Sequence, residues 1–208
     1  MDTLSTAAFV LIVITAMIIL VFRDWRINTI ALGVQYLSTF ALVTLSWPIG
    51  MSVVKLIAGW IATAVIALTC MRQKSRDESP DEPTSSLFFR GLAGFLVILV
   101  IFVVAPVIYE NLFPQVDLVI LQGGLMLLGM SLMQLGTNSE PYLTIISLLS
   151  FLAGFETIYA ALELSTLLTG LLVLVNLGLA LVGVYFIVKS NQEPEEQEET
   201  GKREGGTV

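Results

Sequence analysis

The sequence contains no histidine and a single cysteine, and only 13% of its 208 residues are charged. Without histidine, b-type haem ligation, His-based acid–base pairs and most zinc or iron sites are excluded. The lone Cys70 excludes an internal disulfide and a Cys-x-x-Cys redox pair. We therefore expect no metal, no cofactor and no enzyme activity carried by this chain on its own.

Basic residues are also scarce, since ten Lys and Arg stand against seventeen Asp and Glu, for a net charge of -7. Nucleic acid is bound by a basic face, so we expect no nucleic-acid partner. What is abundant is apolar surface, because 56% of the residues are hydrophobic. This composition predicts an integral membrane protein, with the lipid bilayer as its first partner and the cell (inner) membrane as its multi-pass location.

The apolar residues fall into stretches of the length that crosses a membrane. A bilayer core of about 30 Å needs about 20 apolar residues in a helix. The run from 142 to 188 would be about 70 Å long as one helix, so we expect two helices that turn near Leu162–Ser165. The predicted spans are approximately 4–22, 28–46, 51–71, 90–108, 117–135, 142–161 and 165–188. The predicted fold is all-α, a polytopic transmembrane helix bundle of about seven spans.

The basic residues orient this bundle. Nine of the ten lie after span one, between spans three and four, or after span seven. By the positive-inside rule these segments are cytoplasmic, which predicts an N-terminus outside and a C-terminus in the cytoplasm. The predicted organisation is a three-helix membrane segment, a cytoplasmic polar linker, a four-helix membrane segment and a disordered acidic cytoplasmic tail. These parts cover residues 1–71, 72–89, 90–189 and 190–208.

Three ionisable residues in or beside the predicted spans are candidates for function. Lys55 lies about four residues into span three, Glu156 about five residues before the end of span six, and Glu163 at the turn that follows. A charge inside a membrane costs about 2.5–3.5 kcal/mol on insertion scales, so each needs a reason. Their similar depth allows a Lys55–Glu156 pair, with Glu163 as a second carboxylate nearer the water, and makes all three proton-relay candidates. The alternative is that Lys55 snorkels to the headgroups and Glu163 faces water.

Weaker polar residues lie in other spans. Asn176, in the middle of span seven, is a candidate for a polar seam between helices. Gln35 and Tyr36 in span two are interpreted as inter-helix hydrogen-bonding residues, since such bonds contribute about 0.6 kcal/mol in membrane bundles.

Three segments resemble the E-type membrane component of hydrogenase-4, a family related in its later helices to the small K-type component of respiratory complex I and the C-type component of Mrp antiporters. They are FRDWR at 22–26, VVKLIAG at 53–59 and GFETIYAALELSTLLTGLLVLV at 154–175. In that family a membrane glutamate lies on the proton path; Glu156 matches this position, Glu163 resembles the second acid, and Lys55 matches an early lysine of span three. The chain departs from the family where Thr157-Ile158 replaces Asn-Gly, and where Thr169 or Gly170 replaces an acid in the last helix.

The resemblance implies a non-catalytic membrane subunit of an ion-translocating complex, with the proton as the expected ion and other multi-span subunits as partners. Glu156 would be the relay residue, Lys55 its charge partner and Glu163 the exit carboxylate. Two alternatives stay open. One is a free-standing small proton-coupled solute transporter, and the other is a structural membrane protein that recruits a partner through its cytoplasmic tail.

Overall fold

The computed structural model of the chain describes residues 3–73, 84–138, 140–163 and 165–204. The regular structure of these residues is entirely α-helical and comprises seven helices. They are α1 (Thr3–Val21), α2 (Trp25–Val43), α3 (Ile49–Gln73), α4 (Thr84–Asn111), α5 (Leu118–Thr137), α6 (Pro141–Leu162) and α7 (Thr166–Glu204). Helix is the expected form for long apolar segments, because it satisfies every backbone N–H and C=O within the segment.

Six of these seven helices are long and apolar enough to cross a membrane, so the chain is a multi-pass membrane protein. The helix that does not meet this criterion is α2, although its 19 residues equal the length of α1. The difference lies in its polar side chains, which are buried inside the bundle instead of facing outward. They are Asn28, Thr29, Gln35, Ser38 and Thr39.

The helix boundaries differ from the prediction at two places. The two helices predicted within 142–188 separate at residues 163–165, as expected. However, α4 begins at Thr84 instead of 90, since serine and threonine favour a helix N-terminus. Residues 74–83 of the linker predicted for 72–89 lie outside the described residues. The sequence predicts a disordered tail from residue 190, whereas the backbone of α7 continues as a helix to Glu204. Glutamate, glutamine and lysine, which are frequent in this segment, have high helix propensity.

Hydrogen bonds between loops define the two ends of the bundle. At the first, which we call the Arg23 end, the Arg23 guanidinium donates to Asn138 Oδ1 at 2.9 Å and lies 3.5 Å from Glu140 Oε1. At the second, the Trp47 end, the Trp47 indole N–H donates to the backbone carbonyl of Glu163 at 3.2 Å. The α1–α2 and α5–α6 turns therefore meet at one end, and the α2–α3 and α6–α7 turns meet at the other.

The helices form two four-helix rings that share α2 and α6. One ring contains α2, α3, α7 and α6, and the other contains α1, α2, α6 and α5, while α4 packs outside the second ring against α1 and α5. The α5–α6 contact is close because Gly124 and Gly154 face each other, and a Cβ on Gly154 would lie 2.9 Å from the Gly124 carbonyl oxygen. Small residues allow such backbone contact between membrane helices. The first ring encloses the polar residues described below.

Candidate functional site

The centre of the α2–α3–α7–α6 ring holds a buried ion pair. Lys55 Nζ on α3 lies 3.3 Å from Glu156 Oε2 on α6, and the two residues are 4% and 5% exposed. Each lies six residues from the Trp47 end of its helix, a depth of about 9 Å. Neither Lys55 Nζ nor Glu156 Oε1 has a hydrogen-bond partner among the described residues. The pair is thus electrically neutral as a unit, but it retains free positions for a further donor or acceptor.

The pair joins two helices whose backbones are not in direct contact. Across the described residues, no Cα atom of α3 lies within 8 Å of a Cα atom of α6. The two helices are diagonal partners in the ring, and the long side chains of Lys55 and Glu156 reach across its interior. A snorkelling lysine would have its ammonium at the bundle surface, whereas Lys55 is directed inward. The structure therefore contains the Lys55–Glu156 pair that the similar depth of the two residues allows.

A second polar pair lies one helical turn deeper. The Tyr36 hydroxyl on α2 donates to Asn176 Oδ1 on α7 at 2.9 Å, and both residues are buried. The Tyr36 ring packs on Gly59 of α3, where any Cβ would overlap it. Because Gly59 follows Lys55 by one helical turn, the aromatic ring of Tyr36 lies about 6 Å further into the bundle than Lys55. Because Gly59 is one turn from Lys55, the two pairs are neighbours inside the helix ring, and we call their four residues the central site.

Between the ion pair and the Trp47 end there is a small void. Its volume is about 10 Å³, near the minimum that holds one water molecule. It is lined by Trp47, Lys55, Glu156, Thr169, Leu172 and Val173. Trp47 is buried and lines this space, while the Thr169 hydroxyl donates to the backbone carbonyl of Ser165 on the same helix. The Trp47 indole and a space the size of one water molecule thus lie between the ion pair and the Trp47 end.

The predicted site residues occupy different environments. Lys55, Glu156 and Asn176 lie inside the ring, as described above. Glu163 is exposed at the Trp47 end, where it caps the C-terminus of α6 and its backbone carbonyl accepts the Trp47 hydrogen bond. The structure therefore brings together three of the four candidates and leaves Glu163 at the surface. The role of each residue stays a prediction.

Two contributions from α2 to this site go beyond the sequence interpretation. The sequence predicts Gln35 and Tyr36 only as residues that form hydrogen bonds between helices. In the structure Tyr36 is a member of the central site. The side-chain amide N and O atoms of Gln35 are both buried and have no hydrogen-bond partner among the described residues. The signal in the sequence is the low hydropathy of α2, since a span that is less apolar than its neighbours is enriched in polar contacts. The described residues contain no cluster of three or more His, Cys, Asp or Glu side chains that could hold a metal.

Comparison with known proteins gave no relatives. No family model, no curated protein and no solved structure matches this chain.

Proposed function

We propose that this chain is a non-catalytic membrane subunit of an ion-translocating complex, in which Glu156 relays protons with Lys55 as its charge partner. The observation that supports this proposal is the Lys55–Glu156 ion pair buried in a membrane-spanning bundle. Two charges placed here cost about 2.5–3.5 kcal/mol each on insertion scales. A hydrophobic pair of similar volume would avoid that cost and is often equally stable. A role in charge transfer is the simplest reason for the pair to be present.

The geometry supports proton exchange in particular. A proton can pass between ammonium and carboxylate across 3.3 Å with only a small change in position, and the pair stays neutral overall in either form. Glu156 Oε1 is free to accept a proton from a second carrier. The void beside Trp47 has room for one water that connects the pair towards the Trp47 end. Glu163 is exposed at that end and is the proposed exit carboxylate of the route.

The proposed topology has seven spans, with α2 as the least apolar of them. The polar side chains of α2 are buried between helices, where they do not contact lipid, so α2 can cross a membrane as part of the bundle. The basic residues Arg23, Arg26, Arg72 and Lys189 lie at or near the Arg23 end, and the positive-inside rule places that end in the cytoplasm. The N-terminus is then outside, and the membrane is the cell (inner) membrane.

The proposed partners follow from the resemblance to the small membrane components of hydrogenase-4, complex I and Mrp antiporters. Two of the three segments that carry the resemblance contain Lys55 and Glu156, and these are the two residues that meet in the ion pair. The partners are then large multi-span antiporter-like subunits, and the chain needs no cofactor of its own.

The first experiment identifies those partners. The full-length tagged chain is extracted from its native membrane in mild detergent, and the co-purifying proteins are identified by mass spectrometry. Multi-span antiporter-like subunits are expected. Recovery of the chain alone, as a monomer or homo-oligomer, would contradict the subunit assignment and favour a free-standing transporter. Deleting residues 190–208 tests the third alternative, since loss of the partners with intact ion flux would make the tail a recruiting element.

The second experiment tests the relay. The purified assembly is reconstituted in liposomes that contain a pH-sensitive dye, and proton entry is driven by a valinomycin-induced potassium potential. Glu156→Gln removes the exchangeable proton and should abolish the flux. The matched control is Glu110→Gln, which changes an exposed carboxylate near the Trp47 end and should leave the flux unchanged. Equal proton flux in the wild-type and Glu156→Gln assemblies would refute the relay.

A further inference from the structure

A groove lies on the outer surface of the bundle between α6 and α7, at the Arg23 end. Its volume is about 300 Å³. The residues that line it on the facing sides of the two helices include Pro141, Thr144, Leu148, Val182, Gly183 and Phe186. Pro141 and Leu148 are two turns apart, so the groove extends about 11 Å from the start of α6. Half of a bilayer core is about 15 Å thick, and the groove therefore fits within one leaflet.

The groove is open to the outside but closed towards the bundle. Its inner side is formed by Gly183 and Ile145, which pack so closely that a Cβ on Gly183 would lie 2.6 Å from the Ile145 side chain. Val182 and Phe186 on α7 are 53% and 52% exposed, so they border the groove at the surface. A molecule from the surrounding membrane can therefore enter the groove sideways without separating α6 from α7.

The lining has no polar group to offer a ligand. Among the described lining residues, the hydroxyl of Thr144 is the one polar side-chain group, and it donates to the backbone carbonyl of Glu140 one turn earlier. The occupant is therefore hydrocarbon. A membrane helix is about 10 Å wide and lies across such an opening without filling it, whereas an acyl chain is narrow and flexible enough to enter. Filling matters because an empty groove leaves its lining side chains without van der Waals partners.

A basic residue lies at the end of the groove. Lys189 is exposed and follows Val182 by seven residues and Phe186 by three, which places all three on the same face of α7. On the α6 side, the Glu140 carboxylate lies 3.5 Å from the Arg23 guanidinium, so its charge is already balanced. Lys189 thus supplies positive charge at the level where phospholipid head groups lie, and it attracts their phosphates there.

We infer that this groove is a binding site for one anionic phospholipid, whose acyl chain fills the groove and whose phosphate pairs with Lys189. In the proposed topology the Arg23 end is cytoplasmic, and the cytoplasmic leaflet is the one whose anionic lipids attract basic residues. Lys55 and Glu156 take no part in this site, so the inference goes beyond the proposed proton relay and does not depend on it.

Lipid retention tests the site. The full-length tagged chain is purified in mild detergent together with any subunits that accompany it, washed until its lipid is depleted, and titrated with dioleoyl phosphatidylglycerol. Native mass spectrometry counts the bound lipid. One phosphatidylglycerol per chain should bind about fivefold more tightly than dioleoyl phosphatidylcholine, which has the same acyl chains but no net charge.

Two pairs of variants separate the acyl chain from the head group. Val182→Trp fills the groove with an indole and should abolish the retention of lipid, whereas Leu181→Trp, also exposed on α7 but outside the lining, should retain it. Lys189→Gln should weaken phosphatidylglycerol binding about fivefold, to the level of phosphatidylcholine. Arg26→Gln removes an exposed basic residue at the same end, on a helix that does not pack against α7, and should leave the affinity unchanged.

Three results would overturn the inference. Equal lipid retention by Val182→Trp and Leu181→Trp would exclude the groove, and equal affinity of the wild-type chain for the two lipids would exclude an anionic head group. Release of an accompanying subunit by Val182→Trp, with the lipid count unchanged, would make the groove a contact for a partner helix. Lys189 is exposed, so Lys189→Gln tests the site even if Val182→Trp perturbs helix packing. Proton flux in Glu156→Gln is measured separately, and neither result decides the other.

Discussion

The strongest test of the central site is to remove one charge of the ion pair and to measure the free energy of unfolding. At 3.3 Å and an effective dielectric constant of about 20, the attraction between Lys55 and Glu156 is about 5 kcal/mol. The partner that remains is left as an uncompensated charge in a buried environment. Each single variant should therefore lose about 3–5 kcal/mol, as found for broken buried pairs.

The double variant, Lys55→Met with Glu156→Gln, has no charge left to bury. It should recover most of the stability that either single variant loses, because a buried ion pair can be replaced by neutral side chains at little cost.

The assay is equilibrium unfolding in mixed dodecyl maltoside and SDS micelles, followed by fluorescence, to which Trp47 at the site contributes. The matched control is Glu140→Gln, which removes a half-exposed carboxylate 3.5 Å from Arg23 and should cost less than about 1 kcal/mol. A loss under about 1 kcal/mol in Lys55→Met, or a double variant no more stable than the single variants, would refute a desolvated ion pair.

Three further variants probe the surroundings of the pair. Tyr36→Phe removes the hydroxyl that donates to Asn176 and should lower the free energy of unfolding by about 0.6–1.7 kcal/mol in the same titration; an unchanged value would mean that the bond adds nothing to stability. Gly59→Ala forces a Cβ into the Tyr36 ring and should cost about 1–3 kcal/mol, whereas Gly178→Ala, which has open space, should change stability by less than about 0.5 kcal/mol. Equal effects of the two alanines would contradict the close packing at Gly59. Glu163→Gln should leave stability within about 0.5 kcal/mol and reduce proton flux; full flux would remove Glu163 from the route without affecting Glu156.

The general architecture could be predicted because span length and hydropathy are local properties. A run of about 20 apolar residues forms a helix in a membrane whatever its neighbours are, and the interruption at Leu162–Ser165 is predictable because one helix would be too long. The extent of the polar segments could not be predicted as well. The linker and the tail contain no hydropathy signal that marks a helix end, so hydropathy alone does not predict that α4 begins at Thr84 or that α7 ends at Glu204.

The candidate site could be predicted only in part. Sequence position gave the depth of Lys55 and Glu156, since both are a known number of residues from a helix end. It did not give the rotation of α3 and α6 about their axes, which decides whether the two charges face each other or face lipid. The sequence does not predict the contacts of Tyr36 for the same reason, because they involve Gly59 and Asn176, which lie on two other helices.

The amino-acid sequence by itself thus determined that the chain belongs in a membrane, that it forms about seven helices, and that two buried charges have the same depth. Each of these follows from residues close together in the chain. The tertiary structure decided that α2, α3, α7 and α6 close into a ring, and that Lys55 and Glu156 meet inside it although about a hundred residues separate them. The physical reason is that packing between distant helices depends on the shapes of whole helix faces, such as the gap that Gly59 leaves for Tyr36, and no short segment of the sequence contains that information.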